Sequence, residues 1–472
     1  MNTRKIFGQK RSKSIFFVLF LILLLSFIQL LSRIENWDDE QAIIKRIVFP
    51  EFANKNYDVT NYGAVGNGLT DCTQSFKSAI NECSKNGGGK VIVPKGIYLT
   101  GAIHLKNNVN LYVSKDAVIK FSTDPKKYLP VVYTRWEGTE CLNYSPLIYA
   151  YNQENIAVTG EGILDGCAND SNWWQWKGNR DYGWKTGEVN QNLDREKLLK
   201  MGEENIPVGQ RIFGEGHYLR PPFFQSYKCK NILVEGVSFR NSPMWFLNPV
   251  LCTSVTIKNI FTEGLGPNND GCDPECSKDV LIQGCCFNNG DDCIAIKSGR
   301  NNDGRRVNIP SENIVIRDCK MQEGHGGVVI GSEISGGAKN IFVSHCKMDS
   351  PNLDRAIRIK TNSIRGGVIE NLYVRDLTVG QVKEATIRIN YFYEEGDKGK
   401  FTPVVRNIFI KNMKCDRTPV AIWIQAYKRS PVVNFSLENC SFNNVAKPNI
   451  IENVKDIHLK DVTINNKPMV LN

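Results

Sequence analysis

Through the second half of the chain the apolar positions follow one repeated spacing: Asn or Asp, apolar, any, apolar, any, any, apolar, any, apolar. It reads NILVEGVSF from Asn231, DVLIQGCCF from Asp279, NIVIRDCKM from Asn313 and NIFVSHCKM from Asn340. NLYVRDLTV from Asn371, NIFIKNMKC from Asn407, NFSLENCSF from Asn434 and DIHLKDVTI from Asp456 continue it, with a looser copy, SVTIKNIFT, from Ser254. Successive starts lie 22 to 36 residues apart. A spacing of two with many β-branched residues predicts a strand in each unit. Units this short leave no room for helical crossovers, so the chain is expected to coil as an all-β solenoid, a parallel β-helix. The sixth position after each start holds Cys285, Cys319, Cys346, Leu377, Met413 and Cys440. These are expected to form an interior column, which makes the cysteines core thiols rather than disulfides or zinc ligands. The repeated Asn is expected at the turn into each coil, its side chain bonding local backbone.

Ahead of the repeat, from Tyr57, the spacing changes. Asp71 reads as a helix N-cap and Phe76, Ile80 and Cys83 share one helical face, with Gly87 to Gly89 ending the helix. A short N-terminal helix there would cap the open end of the solenoid, where unpaired strand edges are a liability. The glycines of GAVGNG have no Walker lysine after them and read as a turn. Residues 167–220 carry no repeat and hold Trp173, Trp174, Trp176 and Trp184. They read as an insertion near one face, either packed down or offering aromatic platforms to a ligand.

Composition alters this picture in one place. The 472 residues are 41% hydrophobic and 23% charged, which excludes disorder and a polytopic membrane protein. The net charge of +10 suggests nucleic acid, but Arg4, Lys5, Lys10, Arg11, Lys13 and Arg33 supply six positives with no acid before Glu35, leaving +4 for the body. No nucleic-acid partner is expected. Those charges flank an apolar run, Ile15 to Leu31, broken by Ser26 and Gln29. Residues 1–33 thus read as a signal peptide or a single signal anchor, 34–56 as a linker and 57–472 as one β-helix domain, secreted or held outside the cytoplasm by residues 15–31. A monomer is expected.

Candidate chemistry collects between 268 and 360. DDCIAIKS from Asp291, HGGVVIGS from His325 and DRAIRIKT from Asp354 align without gaps. Ile294, Val328 and Ile357 make one inward row and Ile296, Ile330 and Ile359 another, so alternation turns Arg358 and Lys360 outward. Asp291 and His325 share a column one rung apart, and Asp270 lies 21 residues before Asp291, about one coil. Asp291 and Asp292 reach the same cleft only if the chain bends at Gly290. Clustered carboxylates suit glycosidic cleavage, which needs a proton donor and a base, and repulsion within the cluster raises the proton affinity of one member. His325 can tune or relay the proton, while Arg358 and Lys360 suit an anionic sugar.

At these residues the chain resembles glycoside hydrolase family 28, the polygalacturonases. Four motifs occur in order: NND at Asn268–Asp270, where the family has N-T-D, then GDD at Gly290–Asp292, GHG at Gly324–Gly326 and RIK at Arg358–Lys360. The resemblance implies a right-handed, single-stranded parallel β-helix and metal-independent, inverting hydrolysis of α-1,4-galacturonosyl bonds in pectic polygalacturonate, with no cofactor. Carried over by position, it implies Asp291 as general acid, Asp270 and Asp292 as the pair activating water, His325 as catalytic support, and Arg358, Lys360 and Asn268 as substrate-binding. TRWEG from Thr134, NYSPLIYAY from Asn143 and the Trp173/Trp174 pair look like the bacterial-type branch, where chain-end cleavage is common. Arg135 would then contact substrate or pair with Glu137 or Glu140. The alternatives are a pectate-lyase-like β-helix using calcium and an arginine base, or a solenoid that binds polysaccharide without cleaving it.

Overall fold

The computed structural model describes residues 37–471. The run Ile15–Leu31, read as a signal or anchor, lies outside them, and among the described residues no helix is long and apolar enough to cross a membrane. The chain divides into two units, Met1–Gln41 and Ala42–Asn472. The second is a right-handed parallel β-helix.

Seven of the nine repeat units supply two strands rather than one, and those from Asn434 and Asp456 run as single long strands. NILVEGVSF, for example, spans Lys230–Glu235 and Ser238–Arg240. The residue five after each start turns the chain, whether or not the strand is interrupted there: Gly236, Asn259, Gly284, Asp318, His345, Asp376, Asn412, Asn439 and Asp461 all have φ between 50° and 80°. Gly, Asn and Asp predominate there because they enter the left-handed region at least cost. The starting Asn or Asp also has positive φ, 54° to 60° from Asn231 to Asp456. Its side chain bonds the same residue of the neighbouring coil, not local backbone. Asn340 Nδ2 donates to Asn313 Oδ1 at 3.1 Å, Asn371 to Asn340 at 3.0 Å, Asn407 to Asn371 at 2.9 Å and Asn434 to Asn407 at 2.9 Å.

The third face carries the site. Its parallel strands β1 (Ile294–Ile296), β2 (Val328–Ile330), β3 (Arg355–Lys360), β4 (Ala385–Asn390) and β5 (Val420–Gln425) stack in register. Ile294 pairs with Val328, Val328 with Ile357, Ile357 with Ile387 and Ile387 with Ile422, as the aligned segments require. Single bridges extend the column backwards through Cys272 and Leu247 to Phe224. This column and those of the other two faces form one continuous core. All fifteen cysteines are free, and Cys285, Cys319, Cys346 and Cys440 lie in that core.

Two N-terminal features refine the sequence reading. The segment 34–56 is not simply a linker: a helix, α1 (Asp39–Arg46), forms in it, Ile43 and Ile47 are buried, and Arg46 Nη2 lies 3.0 Å from Asp279 Oδ1. The capping helix α2 (Thr73–Lys85) buries Phe76, Ile80 and Cys83 as expected. Its N-cap residue is Cys72; Asp71, one place earlier, accepts from Thr73 N at 2.9 Å.

Candidate active site

Three successive coils place NND, GDD and GHG at the edge of the third face. Gly271 N donates to the Asp292 carbonyl at 3.0 Å and His325 N to the Asp291 carbonyl at 3.1 Å, so the segments are hydrogen-bonded neighbours. The bend expected at Gly290 is present. A Cβ there would stand 2.4 Å from the Gly266 carbonyl oxygen, so close approach rather than left-handed backbone demands the glycine. The bend turns both carboxylates of the pair to one side. Asp270, Asp291 and Asp292 each present an oxygen, all within 4.8 Å of one another.

The remaining expected residues gather around them. His325 Nδ1 is 3.0 Å from Asp291 Oδ1. Lys360 Nζ donates to Asp292 Oδ2 at 2.6 Å, and Arg358 Nη1 approaches Asp292 Oδ1 at 3.5 Å. Arg358 and Lys360 do point away from the inner column, but they are not freely exposed: Lys360 is 5% exposed and Asp292 fully buried. Asn268 Oδ1 accepts from Lys177 at 3.0 Å and Arg220 at 2.8 Å. Asn269, where the family has Thr, is buried and pins the loop by accepting from Gly266 N and donating to the Ser242 and Met244 carbonyls. Arg135 has neither role expected of it. It is buried away from the cleft and pairs with Glu275 at 3.2 Å.

The cleft above this cluster has a volume of about 310 Å³, and its walls contain charges the motifs do not include. Lys297 lies 3.6 Å from Asp270, 3.4 Å from Asp273 and 3.1 Å from Glu333, with its ammonium 4.5 Å from the Trp245 ring centre. Arg300 bridges Glu137, Glu333 and Glu394. The sequence carries one signal for Lys297, since it shares an aligned column with Gly331 and Lys360. The rest of the wall comes from loops without a repeat. In the 167–220 insertion Trp173 and Trp176 pack into the core, which settles their reading as packed rather than ligand-facing. The turn they anchor delivers Lys177, and helix α3 (Asn192–Glu203) delivers Arg195, which binds Glu137 at 2.7 Å.

The electrostatics separate the three carboxyls. Burial pushes Asp270 well above the usual carboxylate range, helped by Asp273 and Asp291 and opposed by Lys297. Burial also acts to raise Asp291, but the His325 hydrogen bond and charge, with Lys360 and Lys297, outweigh it and hold the group well below that range. The same bond lifts His325 to about 9. The cluster is thus split: Asp270 holds a proton more readily than an ordinary carboxyl, and beside it Asp291 and His325 form a carboxylate–imidazolium pair.

A family model described as glycosyl hydrolases family 28 matches residues 213–460. The chain belongs to that family. It is 46% identical to the solved hyperthermoactive exopolygalacturonase of Thermotoga maritima, with a TM-score of 0.88 over 91% of this chain and 96% of that one. A Vitis vinifera protein named "Probable polygalacturonase" is 27% identical over 404 residues, 82% of this chain and 74% of its own. The exo-poly-alpha-D-galacturonosidase of Dickeya chrysanthemi is 22% identical over 442 residues, 87% and 71% of the two chains. As a family 28 member the chain is a glycoside hydrolase.

Proposed function

We propose that this family 28 enzyme is a polygalacturonase that hydrolyses α-1,4-galacturonosyl bonds from a chain end. The observation that carries the reading is three carboxylates within 4.8 Å of one another beside Arg358 and Lys360, in a cleft one side of which is built by Lys177 and Arg195 of the insertion. The 46% identity to an exopolygalacturonase supports the chain-end mode. Asp291 protonates the departing glycosidic oxygen while Asp270 and Asp292 position a water and take its proton as it attacks the anomeric carbon. Asp270 Oδ1 is a buried acceptor with no donor among the described residues, which suits it to hold that water. Arg358 and Lys360 receive the sugar carboxylate and Asn268 a hydroxyl.

The carboxylates stand closer than the roughly 6.5–9.5 Å usual for inverting hydrolases and nearer the roughly 5–5.5 Å of retaining ones. Neither neighbour of Asp291 is suited to act as a nucleophile, however. Both are buried and held against ammonium groups, Asp270 3.6 Å from Lys297 and Asp292 2.6 Å from Lys360. Inversion, with water attacking, follows. The triad is also the one group among the described residues able to hold a metal ion, but Lys297 and Lys360 already bring ammonium groups to 3.6 Å from Asp270 and 2.6 Å from Asp292, where a divalent ion would have to compete. Family 28 enzymes are generally extracellular; here the run 15–31 would provide export, with the body released or retained by it.

The test is a time course on polygalacturonate with chelator present. Monomer or dimer from the first minutes is expected, with proton NMR showing the β-anomer first. A ladder of oligomers would refute chain-end action, retained α-anomer would refute inversion, and loss of activity to the chelator, with unsaturated products once calcium is restored, would revive the lyase alternative.

A further inference from the structure

One rung beyond Arg358 on the same outward column stands Arg388, and one rung further Trp423. The rung step of about 4.8 Å is comparable to the length of one pyranose unit. Arg388 is 8% exposed, yet among the described residues no carboxylate lies within ion-pair distance of it. By contrast Arg355 pairs with Asp354 and Glu384, and Arg358 reaches Asp292. Arg388 Nη1 donates to the Ile389 and Trp423 carbonyls, at 3.0 and 3.2 Å, and Nη2 to Gln425 Oε1 at 2.9 Å. Its guanidinium lies 4.2 Å from the Trp423 ring centre. The indole N–H bonds the same Gln425 oxygen at 3.0 Å, so plane and ring are fixed relative to each other. Nε–H and one Nη2 hydrogen carry no bond among the described residues.

A buried cation is costly unless paired. Arg388 is instead held rigid among neutral acceptors, where burial, together with the like charges of Arg355 and Arg358, outweighs the more distant Glu384 and Glu452 and pushes it down to about 10. An arriving carboxylate would relieve that cost, and a fixed guanidinium presents paired donors to it.

The geometry points to Arg388, oriented by Trp423 and Gln425, as a second carboxylate-binding position: it receives the acid group of the sugar next to the one held by Arg358 and Lys360. The enzyme is thereby selective for at least two consecutive unesterified galacturonates on that side of the scissile bond. This rests on the polygalacturonase reading above.

The test compares kcat/KM on unesterified di- and trigalacturonate for the wild-type chain and Arg388→Gln. Wild type should prefer the trimer. The variant should lose about tenfold to a hundredfold on the trimer, the range of a charge-assisted hydrogen bond, and little on the dimer. Arg388→Lys, which keeps charge without the fork, should fall between, and it serves if the glutamine variant does not fold. Equal losses on both substrates, or no loss on the trimer, would overturn the assignment. A wild-type enzyme that cleaves neither would overturn the polygalacturonase reading itself.

Discussion

Replacing Lys297 by methionine keeps the length of the side chain and removes its charge from among Asp270, Asp273 and Glu333, all within 3.6 Å of its ammonium. Lys297 is 3% exposed, so water cannot substitute for it. Removing one partner from a buried ion pair costs about 3–5 kcal/mol. For the 431 residues of Ala42–Asn472, at roughly 2.1 cal/mol/K of unfolding entropy per residue, that corresponds to a fall in melting temperature of about 3–6 °C. The pH dependence has a definite sign. Lys297 is the largest of the charges holding Glu333 low, and it also opposes the rise of Asp270 and Asp273. In the variant all three bind protons more readily, so the penalty shrinks as pH falls through their raised values and is greatest at alkaline pH. Scanning calorimetry of wild type and variant at about pH 5 and pH 8 tests this. An unchanged melting temperature, or a penalty that grows towards acid, would refute the account of Lys297 as the counter-charge beneath the triad.

Four further outcomes are expected. Asp291→Asn should lower kcat on polygalacturonate by at least about a hundredfold with unchanged circular dichroism, general acid catalysis being worth about 10²–10⁴. The His325 imidazole, lifted to about 9 chiefly by its bond to Asp291, should titrate in that region by NMR and return towards its ordinary value in the same variant; whatever stability the pair gives is complete below the ordinary value and lost as pH rises through about 9. Lys360→Met should reduce folding stability as well as activity, by about 3–5 kcal/mol, because Asp292 would be left buried without its ammonium; chemical denaturation reads this directly. Asn340→Ala should cost about 2–3 kcal/mol, losing ladder bonds to Asn313 and Asn371 and straining a φ of 56°, whereas Asn340→Gly should recover the strain alone.

The solenoid is legible in sequence because a coil repeats both its inward apolar column and its left-handed positions, and both are restricted to few residue types. The starting Asn stands out equally well, but its bonding does not: a side chain bonding the neighbouring coil and one bonding its own backbone leave the same trace in sequence. The NND, GDD, GHG and RIK motifs can be brought together from sequence alone because they fall on adjacent coils at matching offsets from the inner column. Lys297 sits in the same aligned window as its column partner Lys360, but no motif marks it, and alignment by itself does not distinguish a buried counter-charge from a solvated lysine. Glu137, Lys177, Arg195 and Glu333 lack any such register: they reach the cleft on the insertion and on turns and loops whose paths no periodicity describes. Alternation gives the outward direction of Arg358 and Lys360 correctly but not their burial, which depends on Tyr393, whose ring centre lies 5.4 Å from the Arg358 guanidinium and 5.2 Å from Lys360 Nζ.

The proton needed for bond cleavage is not where the proposed acid requires it in the free enzyme. Asp291 is ionised there, and the proton of its pair is on His325. Among the charges that hold Asp291 low is Lys360, one of the two cations that face the sugar carboxylate. When an anionic sugar binds to Arg358 and Lys360 it cancels part of that field and adds a negative charge of its own, and both changes raise the proton affinity of Asp291. Transfer then needs only the 3.0 Å path from His325 Nδ1 to Asp291 Oδ1. A methyl-esterified sugar supplies neither change. Discrimination against it therefore belongs in kcat as well as in KM, because the charge that binds the substrate is also the one that prepares the acid.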